Sequence, residues 1–272
     1  MTPVYRPAIA EFLESIYKVC GRNTRLEKDP LAVVLRYEDA TDREIAALVC
    51  STLAFGSVDL ILRACDQALK PLGPRPAEVL LNMGEKEIVQ TWAQFQYRFC
   101  FPKDMVGLMR GAQGALRDYG SLQALFLAGD NSELPLTKAL SAFVAALRRY
   151  SASGATIRPN LLPDPAQGSA CKRLFLFLRW MVRQDDVDPG GWTDVSPARL
   201  VVPMDTHMAA TCVHRLGFLD KKRSAAAPNL KDALQATAHF VLYAPEDPVK
   251  YDFALTRPGI DPRPGDEIFG CY

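Results

Sequence analysis

Residues 160–216 read NLLPDPAQGSACKRLFLFLRWMVRQDDVDPGGWTDVSPARLVVPMDTHMAATCVHRL. The order is loop, helix, acidic loop, short apolar approach, helix. Pro163 and Pro165 disfavour helical geometry in the residues before them, so the stretch opens as a turn. Ser169 is a good N-cap, and a helix is expected from Ala170 to about Arg183. Leu174 to Leu178, Trp180, Met181 and Val182 make that helix apolar nearly all round, the mark of burial. Lys172 then falls at N3, the positive end of the helix dipole. Apolar neighbours add a desolvation cost, and Arg179 and Arg183 repel it weakly from further along the same face. All three effects favour the neutral amine, the nucleophilic form of lysine. The competing account is a lysine snorkelling at a buried helix end.

In the second half, Asp205 stands at the N-cap position of a helix with Met208, Cys212, Val213 and Leu216 on its apolar face and Gly217 as its stop. Val201-Val202-Pro203-Met204 leads inward and would bury the carboxylate. His207 reads as a phosphate or backbone hydrogen-bonder, since no second histidine or cysteine has ligand spacing; His214 and His239 read as ordinary helix residues. Between the halves, Gln184 to Trp192 carries three aspartates and an aromatic. It lacks the pattern of a calcium loop, and helix termination explains the aspartates as well as a cation does.

Outward from this stretch, the chain reads as helices. Ile9–Tyr17, Val58–Leu69, Ile88–Tyr97, Met105–Tyr119 and Leu136–Tyr150 have helical apolar spacing. Thr41-Asp42-Arg43-Glu44 is a capping-box signal with Thr41 as N-cap. The aromatic segment Phe95–Pro102 reads first as packing between helices, with Arg98 the residue of functional interest. Residues 150–159 read as a connection. Strand signals are nearly absent, so the fold expected is all-α, ten to twelve helices in two lobes with the chain crossing near residue 150.

Composition bounds the rest. The chain has 272 residues, 32 basic against 31 acidic, and about half are apolar, so a packed core is expected and a generic polyanion-coating protein is not. Seven scattered cysteines without a C-x-x-C pair give no disulfide framework and no zinc or iron–sulfur spacing. No signal peptide and no membrane span is legible, which points to a reducing, cytoplasmic setting.

Pro203-Met204-Asp205-Thr206-His207 resembles the V-D-T-H segment that carries the catalytic aspartate of helix–hairpin–helix DNA glycosylases, a group that includes endonuclease III and the 8-oxoguanine glycosylases. Gly168-Ser169-Ala170-Cys171-Lys172 is similar to the end of their hairpin, where G-x-x-x-K presents a Schiff-base lysine. Asp205 lies 33 residues after Lys172, a spacing close to that of the archaeal 8-oxoguanine glycosylase branch. KRLFLFLRWMVRQDDVD, VVPMDTH and EDPVKYDFAL look like bacterial relatives placed beside that branch, and the likeness is best over about 160–260. The hairpin here carries one glycine where G-x-G is usual, the endonuclease III cluster cysteines are absent, and Pro258 falls where related chains continue a helix.

The resemblance implies a single two-lobed helical glycosylase-like domain over residues 1–272, with the hairpin and catalytic segment at about 160–216. It implies Lys172 as Schiff-base nucleophile and Asp205 as its assistant, with no cofactor and no metal. The implied partner is double-stranded DNA containing a damaged base, 8-oxoguanine foremost, met by a monomer at the bacterial nucleoid. Gly168, Ser169, Arg173 and His207 are the expected backbone contacts, with Arg215 and Lys221-Lys222-Arg223 as further candidates. Trp192 and Trp180 are the candidates for stacking on the base, Trp180 reading first as core, and Arg98 of the aromatic segment is a further DNA- or base-binding candidate. Two other classes compete. A non-catalytic DNA-binding protein would keep the scaffold without chemistry, and a metal-dependent hydrolase would use Asp185, Asp186, Asp188, Asp205 and His207.

Overall fold

A computed structural model describes residues 2–132, 135–151, 157–220 and 227–269. The chain divides into two compact units, one formed by Met1–Lys28 with Gly168–Tyr272 and the other by Asp29–Gln167. Helices dominate, and among the described residues there is no β-strand, only three isolated bridges. An all-α architecture is therefore correct. The expected crossing near residue 150 falls later, at 167/168. Residues 157–167 stay with the second unit because Arg158 is held by Asp104 at 2.7 Å and Arg148 donates to the Leu162 carbonyl at 2.7 Å. Residues 152–156, part of the expected connection, lie outside the described residues.

The first unit opens with α1 (Pro7–Cys20). The second holds α2 (Leu31–Val34), α3 (Ala40–Leu53), α4 (Val58–Leu69), α5 (Pro76–Asn82) and α6 (Glu85–Thr91). It continues with α7 (Pro102–Tyr119), α8 (Leu122–Ala128) and α9 (Thr137–Ser151). The first unit then resumes with α10 (Lys172–Val182), α11 (Thr206–Ala210), α12 (Leu230–Phe240) and α13 (Asp252–Ile260).

In the second unit α7 packs along α9, with Gly111 close against the Leu147 backbone and Gly114 against the Tyr150 ring. Both helices contribute buried side chains, Met105, Leu108 and Met109 from α7 and Leu140, Phe143 and Leu147 from α9. Each such side chain contributes roughly 1.5–3 kcal/mol on burial. The capping box expected at Thr41 is not used. Asp39 caps α3 instead, accepting from Thr41 N at 2.9 Å and Asp42 N at 3.0 Å. Glu44 is thereby released, and its buried carboxylate accepts the Leu122 and Gln123 N–H groups at 2.7 and 3.0 Å. Those donors open α8, where a helix end favours an anion. Helix α6 stops short of the expected span because Trp92 turns into the core, its indole donating to the Ala68 carbonyl at 3.0 Å.

In the first unit α1 packs on α13, and α13 on α11. A buried two-pronged pair, Arg25 to Asp266 at 2.8 and 2.7 Å, ties the segment after α1 to the one after α13. Fork-to-carboxylate pairs of this kind are strong and directional. Helix α10 is almost wholly buried within this unit.

Candidate active site

Helix α10 begins two residues later than its sequence indicates. Cys171, not Ser169, is the residue before it, with a left-handed φ of 46° and no side-chain cap. Ser169 Oγ accepts the Cys171 N–H at 3.3 Å, bracing the turn rather than capping the helix. Lys172 is accordingly the first helical residue, not the third. Gly168 is exposed with φ 77°, and its carbonyl accepts the N–H of Leu230 at 3.0 Å, so the turn before α10 is fastened to the start of α12.

Asp205 is the N-cap of α11, its Oδ1 accepting the Met208 N–H at 2.8 Å. Its Oδ2 meets Lys172 Nζ at 3.2 Å, with the lysine side chain 33 % exposed and the aspartate 19 %. Two helix starts distant in sequence thus bring one amine and one carboxylate into contact at a half-open position. Burial pushes the Asp205 carboxyl up, but the Lys172 charge, the Met208 N–H and His207 together outweigh it and hold the group below its ordinary value. His207 is exposed one step along α11.

Behind the pair runs a buried chain of alternating charge. Arg179, seven residues beyond Lys172 on α10, bonds Asp188 at 3.0 Å and Asp252, the first residue of α13, at 2.5 Å. Arg183 bonds Asp188, Asp185 at 2.8 Å and Asp247 at 2.8 Å. The Tyr17 hydroxyl donates to Asp185 at 3.1 Å, and burial with that carboxylate pushes its phenol up to about 12. These contacts correct two expectations. Arg179 and Arg183 carry their own counter-charges, so their repulsion of Lys172 is offset. Asp185 and Asp188 are spent on guanidinium groups, and Asp186 lies 3.9 Å from Arg22. No group of three or more histidine, cysteine or acidic side chains able to hold a metal occurs among the described residues.

Trp192 is also corrected. It is only 1 % exposed, packed edge-on against Phe177 with ring centroids 5.3 Å apart. Gly190 and Gly191 have φ of 64° and 132°, conformations open to glycine. They fold the acidic loop back onto α10, where Gly190 N bonds the Trp180 carbonyl at 3.1 Å and Trp192 N the Met181 carbonyl at 2.8 Å. Neither Trp192 nor the fully buried Trp180 offers a face to a base.

Other candidates are placed as follows. Arg173 follows Lys172 at half-buried depth, and Arg98 lies in the Asp29–Gln167 unit. Arg215 stands over Phe12, its Cζ 4.7 Å from the ring centroid. It lines a narrow pocket with His207, Thr211, Thr256 and Pro258, and α13 runs through Pro258 to Ile260. Lys221, Lys222 and Arg223 lie outside the described residues. His239, expected to be an ordinary helix residue, lies in α12 but is buried with neither ring nitrogen hydrogen-bonded and stacks on Phe218 at 4.6 Å. Burial and nearby Arg6 lower its basicity.

Residues 29–261 match the family described as Protein of unknown function (DUF2400). The chain belongs to the DUF2400 family. No curated protein and no solved structure matches it. The matched span of this DUF2400 chain contains Lys172, Asp205 and the ion-pair chain behind them, and begins after α1.

Proposed function

We propose that this chain is a DNA glycosylase with AP lyase activity, acting in base excision repair on an oxidised purine of the 8-oxoguanine kind. The observation that carries the reading is the 3.2 Å contact between Lys172 Nζ and Asp205 Oδ2 at a half-open position. An amine and a carboxylate so placed are the two groups that the resemblance assigns to this chemistry. The two-lobed glycosylase fold is part of the same proposal.

In this reading the damaged nucleotide leaves the stack and its C1′ is presented to Lys172. Only the neutral amine attacks. Its lone pair then forms the N–C1′ bond as the glycosidic bond breaks, and the base leaves with that electron pair and takes up a proton. Asp205 receives the lysine proton or offsets the positive charge developing at the sugar. Ring opening gives the protonated imine. Loss of a C2′ proton then expels the 3′ phosphate, which cuts the strand. Exposed Gly168 and His207 are the groups best placed to hold the backbone near this pair. The work is done by a monomer at the nucleoid, in the cytoplasm. What the structure states on location is narrower: no described helix is long and apolar enough to cross a membrane.

Borohydride trapping on a panel of lesion duplexes, 8-oxoguanine among them, tests the reading. Wild-type protein gives a covalent adduct, and Lys172→Gln gives none. If wild-type protein binds DNA but neither traps nor excises any base on the panel, the chain is a DNA-binding protein without this chemistry.

A further inference from the structure

Residues 97–101 of the Asp29–Gln167 unit form a tight turn that displays its side chains. Tyr97 and Cys100 exchange both backbone hydrogen bonds, at 2.9 and 2.7 Å. Arg98, at the first central position, has φ 50°, where glycine is the usual occupant. A second loop locks the turn in place. The Tyr97 hydroxyl donates to the Phe55 carbonyl at 2.5 Å, and Phe55 stacks on Phe99 with centroids 4.2 Å apart and planes at 13°. Gly56 is needed for this fit, since a Cβ there would lie 2.7 Å from Arg98 Nη1 and 2.8 Å from Tyr97 Oη.

This rigid turn is built outward. Phe99 is 38 % exposed and Phe101 41 %, the latter under the Arg158 guanidinium at 4.6 Å. Arg98 and Lys103 are exposed, and residues 88–103 contain no aspartate or glutamate. The nearest carboxylate in sequence, Asp104, is taken by Arg158. Paired rings with one face covered, beside uncompensated cations, match a ligand with flat faces and a negative backbone. Nucleic acid has both properties. Backbone conformations held against preference concentrate at functional positions, and here the neighbouring loop fixes one.

We propose that the Tyr97–Phe101 turn is a base-stacking platform, in which Phe99 continues the Phe55–Phe99 stack onto a base left unpaired in a distorted duplex while Arg98 and Lys103 meet the adjoining phosphates. This rests on the reading that the chain acts on DNA, but not on its chemistry. The test uses full-length protein and a duplex with 2-aminopurine opposite a tetrahydrofuran abasic analogue, which cannot form an imine.

Wild-type protein binds this duplex more tightly than a fully paired one and changes the 2-aminopurine fluorescence. Phe99→Ala loses that change and about tenfold in affinity while keeping the wild-type helical content and a cooperative, somewhat lowered thermal melt. Phe99→Trp retains both. Arg98→Gly, which suits the turn's φ, keeps the fluorescence change and lowers the salt dependence by about one ion. Equal behaviour of wild type and Phe99→Ala overturns the platform. A Phe99-dependent signal from a protein that traps no lesion keeps the platform and removes the glycosylase. Trapping without a Phe99-dependent signal does the reverse.

Discussion

Asp205 divides its carboxylate between two tasks: Oδ1 caps α11 through Met208 N at 2.8 Å, and Oδ2 faces Lys172 Nζ at 3.2 Å. The division makes the helix cap and the ion pair separable by substitution. Asp205→Asn keeps an oxygen for the cap and removes the charge; Asp205→Ala removes both. In denaturant melts the alanine variant loses about 1–2 kcal/mol and the asparagine variant about half of that or less. In the trapping assay both slow adduct formation strongly. Equal stability of wild type and Asp205→Ala would contradict the cap assignment.

The pair also has a pH signature. The folded-state Asp205 carboxyl titrates below its ordinary value, so its stabilising contribution is present above the unfolded value of about 4 and is lost as pH falls through the folded one. In Lys172→Gln, burial is opposed by Met208 N–H and His207 without the lysine, and the carboxyl rises. The variant is therefore less stable than wild type by about 1 kcal/mol at pH 7, and the gap closes as pH falls below about 4. Urea melts at several pH values measure this, and a gap that widens in acid would refute it.

The chain of charge behind the pair is a structural support. Arg179→Leu would leave Asp188 and Asp252 buried without that guanidinium, a loss of about 3–5 kcal/mol. Adding Asp252→Asn to Arg179→Leu recovers part of the loss. A double-mutant cycle by thermal or urea unfolding shows the coupling, and strict additivity would mean the two side chains do not act together.

Trp192 belongs to the core. Trp192→Ala costs about 3–5 kcal/mol through the cavity it leaves beside Phe177. Trp192→Phe costs less and leaves affinity for lesion duplexes unchanged. A selective loss of lesion affinity in the phenylalanine variant would return Trp192 to the base pocket.

What the sequence made legible follows the reach of each signal. Helix α4 was read residue for residue because its apolar period is a local signal. The Asp205 cap was legible for the same reason. The start of α10 was misplaced by two residues because Cys171 adopts a left-handed conformation that cysteine does not announce. The acidic loop was harder still. Its carboxylates were visible, but their partners come from the buried face of α10, and Arg179 also binds Asp252, 73 residues away. Trp192 looked available because loop aromatics often are; only the fold-back at Gly190 and Gly191 buries it. The positive φ of Arg98 and the close approach of Gly56 to its turn were invisible to a local reading, because the partner loop lies 42 residues away in sequence.

The unit that holds Lys172 and Asp205 is made from both sides of the chain, with Asp29–Gln167 inserted between its parts. During synthesis α1 emerges before the inserted unit and must wait for α13, its packing partner, until that unit and α10 to α12 have been made. Residues 29–167 can close as a unit meanwhile, since domains fold as units in the order they leave the ribosome. Arg25 likewise waits for Asp266. The amine and carboxylate of the site are thus framed by contacts that form only after the inserted unit is made, and a chain stalled before α13 carries Lys172 and Asp205 without the helix that packs against α11.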